Sequence, residues 1–295
     1  MAWCLWDIQE SIPMKHPDPA TVIQNVTAAL EEDIQQGDIT AALIPEMQQA
    51  TATLRTREAM LLCGQPWVEQ SFLQIDPTIT LDWHYSEGRW VEADQVLLTL
   101  QGNARALLTA ERTAMNFFQT LSAVATATHH YSQLLAPYPT QILDTRKTLP
   151  GLRIAQKYAV ACGGGTNHRM GLYDAYLIKE NHIAACGSIE AAVKAARAQH
   201  PDYPVEVEVE NLDELQQALD AGSDTIMLDN FTLAQMEAAV VLTQGRAKLE
   251  VSGNVTAEQL TTIAATGVDY ISTGALTKHI QAIDLSLRIE TVVAP

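Results

Sequence analysis

Residues 144–182, DTRKTLPGLRIAQKYAVACGGGTNHRMGLYDAYLIKENH, gather Arg146, Lys147, Arg153, Lys157, His168, Arg169 and Lys179 in a chain of formal charge −17, from 35 acidic and 18 basic residues. An arginine fork grips a carboxylate through two N–H groups and a lysine adds a compact charge. A basic island in so acidic a protein therefore predicts a small substrate with two or three negative charges. A polyanion such as nucleic acid is disfavoured, because the field of the whole chain repels it. VSGN (251–254) and STGAL (272–276) supply a second anion signal. Each follows a β-branched run and precedes a helical pattern, where backbone N–H groups and a helix N-terminus cradle phosphate; as turns alone they would hold no ligand. Gly163, Gly164 and Gly165, ahead of Thr166, Asn167 and His168, fit either a tight turn or an anion nest.

Glu208 and Asp229 add carboxylates at the ends of two neighbouring runs, and in VEVEV (205–209) Glu206 shares the face of Glu208 while the valines take the other. Glutamates facing a barrel interior either pair with Lys147 and Lys179, or hold Mg²⁺ and stabilise positive charge developing on a reacting carbon; the two readings are compatible. Of the histidines, only His168 and His182 fall among the charged strand ends, whereas His16, His84, His129, His130 and His200 read as surface or loop residues. Cys4, Cys63, Cys162 and Cys186 form no C-x-x-C pair and no metal spacing with the histidines, so they read as reduced thiols.

The elements that position these residues repeat one grammar: a short β-branched run, a polar residue at its end, then a helical pattern that often stops at glycine. Strands are expected at Gln141–Asp144, Ala175–Lys179, Val205–Val209, Thr225–Leu228, Lys248–Val251 and Tyr270–Thr273. Their carboxyl ends carry Asp144, Arg146 and Lys147; Lys179, Glu180, Asn181 and His182; Glu208; Asp229 and Asn230; Ser252, Gly253 and Asn254; then Thr273 and Gly274. Ser188, Asn211 and Thr256 suit helix N-caps, and Gly222 and Gly267 suit helix stops. Six such units predict a parallel α/β barrel, complete or incomplete, with its working residues at one mouth.

The first hundred residues differ, with a helix from about 20 to 34 and strand-like TATLRTRE (51–58) and WVEADQVLLTLQG (90–102), an α+β pattern. A helix over 104–135 joins the two parts, and the lack of a long linker predicts close packing. The first twenty residues carry acids and prolines in place of a signal peptide's basic start and apolar run, and no stretch approaches about eighteen consecutive apolar residues. A cytoplasmic protein without a membrane span is the expectation.

EDIQQGDITAALIPE (32–46), GNARALLTAERTAMNFFQTLSAVAT (102–126), DTRKTLPGLR through LIKENH, VEVEVENL, IMLDN, LEVSGN and VDYISTGALTKH together resemble the quinolinate phosphoribosyltransferase family across nearly the whole chain. The resemblance implies an incomplete (open) α/β barrel over 116–279 with an N-terminal α+β sandwich-like domain over 1–115, joined by the segment from about 280 to 295. It implies transfer of the phosphoribosyl group of phosphoribosyl pyrophosphate to quinolinate with decarboxylation, in a Mg²⁺-dependent homodimer. Arg112, of the A-E-R motif, would reach into the partner's site. Arg146, His168, Arg169 and Lys179 match quinolinate-binding positions. Lys147, Lys179, Glu208 and Asp229 match catalytic ones, the two acids also as metal ligands, and Ser252, Gly253 and Gly274 match phosphate-holding loops. Ser252-Gly253-Asn254 stands where many relatives carry S-G-G, and Ser122-Ala123 where they carry S-G. Two rivals remain: a relative that acts on nicotinate or another ring acid, which would need fewer carboxylate partners, and a noncatalytic binding protein on the same scaffold.

Overall fold

The computed structural model describes residues 17–253 and 255–293, the last three by backbone alone. Cys4, His16, Asn254, the leader reading of the first residues and the final two positions lie outside, or mostly outside, the described residues.

Helix α1 (Pro19–Ile34) starts where the Asp18 carboxylate accepts from Ala20 N–H, and buries Val22, Val26 and Leu30, four residues apart on one face. There follow β1 (Gln49–Thr56), β2 (Met60–Leu61), α2 (Gln65–Ile75), β3 (Thr80–Trp83), β4 (Trp90–Val91) and β5 (Val96–Asn103). In β1, Ala50, Ala52, Leu54 and Thr56 are buried and the residues between them are not, the period-two signature of a sheet covered on one face. Strands β1, β5 and β3 run antiparallel in that order. Helix α3 (Ala104–Leu135) is capped by Asn103, whose side chain accepts from Arg105 and Ala106 N–H. It serves two cores: Leu107, Ala110, Ala114 and Phe118 pack on the N-terminal sheet, while Leu121, Val124 and Ala125 belong to the core of the second half.

That second half alternates β6 (Gln141–Leu143), α4 (Arg153–Cys162), β7 (Tyr176–Ile178), α5 (Glu180–Cys186), α6 (Ile189–Gln199), β8 (Val205–Val209), α7 (Leu212–Asp220), β9 (Thr225–Asp229), α8 (Leu233–Thr243), β10 (Lys248–Ser252), α9 (Leu260–Ala264), β11 (Tyr270–Ser272) and α10 (Ala275–Lys278). The strand order is β6-β11-β10-β9-β8-β7, parallel throughout. No ladder joins β6 to β7, so the barrel is open, with six strands. On the free side of β6, Thr166 makes a single parallel bridge to Leu143, which brings the loop after α4 into the gap. Outward Val205, Val207, Val209, Ile226, Leu228, Leu249 and Val251 are buried in the helix-facing core, each contributing about 1.5–3 kcal/mol relative to exposure. Inward positions are Glu206, Glu208, Thr225, Met227, Asp229, Glu250 and Ser252. Of the expected caps, Ser188 accepts from Ala191 N–H and Asn211 from Glu214 N–H, and Gly222 and Gly267 adopt φ of 79° and 93°; Thr256 instead heads the 3-10 turn Ala257–Gln259, and α9 begins only after it, at Leu260. The chain then returns as β12 (Leu285–Val293), antiparallel to β1 on the edge of the N-terminal sheet. No helix among the described residues is long and apolar enough to cross a membrane.

Candidate active site

At the carboxyl end of the barrel, β7 delivers Lys179 and β8 delivers Glu208, and their ammonium and carboxylate form an ion pair. Strand β9 ends on Asp229, whose carboxylate accepts from the Asn230 side-chain amide at 2.9 Å while Asn230 itself sits at φ 55°. Next to it β10 ends on Ser252, followed by Gly253 at φ 144°, a backbone setting that disfavours any side chain. Lys147 approaches from the loop after β6 and lies against Gly274, where a Cβ would come within 2.7 Å of Lys147 Cδ. Since Gly274 has φ −76°, the requirement for glycine there is steric and not conformational. Lys147, Gly253, Thr273, Gly274, Lys278 and His279 line one hollow of about 360 Å³ at this end.

A second hollow, of about 700 Å³, reaches the starts of β9 and β11 at Thr225 and Tyr270. His168 and Arg169 enter it from the gap loop, and Glu206 and Glu250 project into it from the barrel interior. The backbone N–H of Arg169 donates to His168 Nδ1 at 2.8 Å, so that nitrogen carries no hydrogen and Nε2 carries it. Nε2 donates to Glu206 Oε2 at 2.8 Å and stands 3.5 Å from Glu250 Oε2. Burial lowers the basicity of His168, but the hydrogen bond to Glu206 and the charges of Glu250 and Glu206 outweigh it and hold the imidazole above its usual value. Further protonation would fall on Nδ1, at the expense of the Arg169 amide contact. Burial, then the charge of Glu206, pushes the Glu250 carboxyl up to about 8, with His168 and Ser272 opposing. Glu206 Oε1 and Glu250 Oε1 are buried without a hydrogen-bond partner among the described residues.

Arg146 and Arg169 approach closely enough for their charges to oppose each other: burial first, then Arg146, lowers the Arg169 pKa. Arg146 Nε is buried with no acceptor among the described residues. Two guanidinium groups in mutual repulsion, one with an unanswered donor, make a place that favours an anion.

Other residues of the basic island are already occupied. Lys157 is 1% exposed and ion-paired to Asp144, which is fully buried and also accepts from Asn167 Nδ2 and His168 N–H. Asp144 thus anchors the gap loop beneath the mouth and does not face the opening. Arg153 donates to Thr148 Oγ1 and to the carbonyls of Met170 and Arg146, bracing the same loop. The glycine triplet forms the tight turn and not the anion nest. The N–H groups of Gly163, Gly164 and Gly165 bond to carbonyls of α4, and a Cβ on Gly163 would sit 2.5 Å from Ala125 O of α3. His182 accepts from Lys179 N–H through its ring, which makes it a cap of α5. Arg112 is exposed on α3. Glu250 was absent from the sequence-derived set, although LEVS places it on the same face as Ser252 and the period-two rule applied to Glu206 would have found it. Folding also gathers Cys63, Cys162 and Glu87, which share no sequence spacing. Both Glu87 oxygens accept from backbone N–H groups, of Gly64 and Gln65, so this knot closes the start of α2.

Residues 38–122 match the N-terminal domain, and residues 124–288 the C-terminal domain, of quinolinate phosphoribosyl transferase. The chain is 42% identical over 265 residues to a probable nicotinate-nucleotide pyrophosphorylase [carboxylating] of Synechocystis, covering 88% of this chain and 90% of that protein. It is 38% identical to the mitochondrial quinolinate phosphoribosyltransferase [decarboxylating] 2b of Nicotiana tabacum, over 97% and 87% of the two chains. The solved structure of nicotinate-nucleotide pyrophosphorylase from Francisella tularensis superposes with a TM-score of 0.92 at 49% identity, covering 95% of this chain and 100% of that one.

Proposed function

The chain belongs to the quinolinate phosphoribosyl transferase family, and from that premise we infer that it transfers the phosphoribosyl group of phosphoribosyl pyrophosphate to quinolinate with loss of carbon dioxide. The products are nicotinate mononucleotide and pyrophosphate, an entry into NAD biosynthesis. The observation that carries the substrate side is the opposed pair Arg146 and Arg169 with the unanswered Arg146 Nε: a ring bearing two adjacent carboxylates supplies the charge these groups lack. On the donor side, Lys147 wedged against Gly274, with Ser252 and Gly253 close by in the strand-end row, offers the amide and ammonium donors that phosphates need.

In this reading Arg146 and Arg169 hold the two carboxylates and orient the ring nitrogen, a positioning contribution. His168 supports Arg169 through its amide. As the anomeric carbon loses pyrophosphate and becomes cationic, Glu208 and Asp229 stabilise it electrostatically, and Lys179 restrains Glu208 through their ion pair. The ring nitrogen forms the new C–N bond. Once quaternised, the ring accepts the electron pair of the breaking C–CO₂ bond, and the resulting ylide takes a proton. No protein nucleophile is needed. Glu208 and Asp229 offer hard oxygen ligands at adjacent strand ends, which fits Mg²⁺, an ion that takes few protein ligands and completes its shell with water and phosphate. When bound there it would neutralise charge on the leaving pyrophosphate. We further propose a cytoplasmic homodimer in which exposed Arg112 of one copy completes the carboxylate site of the other.

Purified protein incubated with quinolinate, phosphoribosyl pyrophosphate and Mg²⁺, with nicotinate in parallel, is expected to release carbon dioxide and nicotinate mononucleotide in equal amounts from quinolinate alone. Product from nicotinate only would replace this reading with the nicotinate-specific one, and product from neither would favour the binding protein.

A further inference from the structure

The sulfurs of Cys63 and Cys162 and a carboxylate oxygen of Glu87 lie within 4.8 Å of one another, where the first half of the chain meets the barrel. Cys63, between β2 and α2, is fully buried, and Glu87, between β3 and β4, is half-buried. Cys162 arrives from the last turn of α4 and is also half-buried. Closing the start of α2 accounts for the Glu87 contacts with Gly64 and Gln65 N–H. It leaves two thiols and a phenol without a role. Tyr158, one turn before Cys162 on α4 and 6% exposed, has a buried hydroxyl with no hydrogen-bond partner among the described residues. That hydroxyl stands close enough to Glu87, Cys63 and Cys162 for each to act on its ionisation. After burial, the largest influences on Cys63 and on Tyr158 come from inside this cluster, and none is a positive charge.

We propose that Cys63, Cys162 and Glu87 bind one thiophilic divalent cation of the Zn²⁺ class, which clasps α4 of the barrel to the first half of the chain. Two thiolates and a carboxylate oxygen are donor types this ion takes, with water in the fourth position. Bonds of about 2.3 Å to sulfur and about 2.0–2.2 Å to oxygen put tetrahedral donors roughly 3.5–3.8 Å apart, so the three close in by about 1 Å around the ion. Binding replaces the two thiol protons, which leave to solvent. The supports that ligands need are present. Glu87 is oriented by its two backbone N–H donors, and its oxygens keep lone pairs for the ion. Ser122 fixes the Cys63 backbone from both sides, its hydroxyl accepting from Cys63 N–H at 3.1 Å and donating to Cys63 O at 3.0 Å. The Tyr158 hydroxyl donates to the ligating carboxylate. Half-buried Cys162 and Glu87 give the ion its way in, and a chain of charge −17 draws cations. The cluster shares no residue with the Glu208 and Asp229 pair, so the proposal stands whatever reaction the mouth performs.

The test titrates the full chain, reduced and stripped of metal, with Co²⁺ as a spectroscopic stand-in for Zn²⁺. One Co²⁺ per chain should raise a thiolate-to-metal charge-transfer band, and Zn²⁺ should abolish it. The carboxylates of the mouth carry no thiolate and cannot produce that band. Cys162→Ser should weaken Co²⁺ binding by more than about 100-fold, and Tyr158→Phe, which removes only an outer hydrogen bond and keeps the packing, by about 10-fold. Cys186→Ser, outside the cluster, should match the wild type. A wild type without the band, Cys162→Ser or Tyr158→Phe binding as tightly as the wild type, or a band lost in Cys186→Ser overturns the proposal.

Discussion

Arg146 has an unanswered buried donor and a like charge beside it, so its removal acts on substrate binding and little on the fold. Arg146→Ala is expected to lower kcat/KM for quinolinate about 10- to 100-fold, the worth of one charge-assisted bidentate contact, with its unfolding midpoint within a degree or two of wild type. Near-normal catalytic efficiency would remove Arg146 from the site. Gly274→Ala addresses the donor side: the added methyl meets Lys147 Cδ at 2.7 Å, and the flexible lysine must swing away. A shift of about 1 Å in a positioning group can cost roughly a hundredfold, and the loss should appear with phosphoribosyl pyrophosphate limiting. Arg146, Lys147 and Gly274 were legible in the sequence as strand-end residues, and Arg169 as a member of the basic island. That Lys157 and Arg153 are structural was not, because side-chain type says nothing about which neighbour has already claimed a charge.

Element geometry rests on the join between β6, α4 and the gap loop. Asp144 at the end of β6 receives Lys157 from α4 and the Asn167 and His168 donors from the loop, so one carboxylate locks three segments. Burial pushes Asp144 up and Lys157 down, each partly restored by the other. Lys157→Met should leave that carboxylate without its partner and cost about 3–5 kcal/mol, read as a lower midpoint in urea. An unchanged midpoint would show that Asn167 and the His168 amide suffice. Stability should also follow pH through Glu250. Its folded value of about 8 stands above its ordinary 4.5, so its contribution is full below about 4.5 and is lost as pH rises through about 8. Glu250→Gln should therefore gain on the wild type in unfolding midpoint from pH 6 to pH 9, and parallel curves would contradict this. The strands, caps and helix stops could be placed from period and turn chemistry, because those are local properties. The role of Gly163–Gly165 stayed open until α3 was seen packed against it.

At the scale of the whole molecule, the homodimer proposed above would bring the exposed Arg112 of one copy to the carboxylate site of the other. Mixing Arg112→Ala with Glu208→Ala, each inactive alone, should restore up to about a quarter of wild-type activity, since a random pool forms half its dimers as hybrids with one intact site each. No recovery after subunit exchange would place Arg112 in its own chain's site or in none. The amino-acid sequence by itself determined the order of βα units, the alternation that turns Glu206, Glu208 and Glu250 inward, and the polar row at the strand ends, because each follows from backbone period and local capping. Only the tertiary structure decided that β6 and β7 stay unpaired, that β12 returns to β1, that a hollow lined by Glu206 and Glu250 reaches the strand starts, and that His168, Glu206 and Glu250 meet. Those outcomes depend on contacts between residues tens of positions apart, where closure and desolvation of the whole barrel choose the partner.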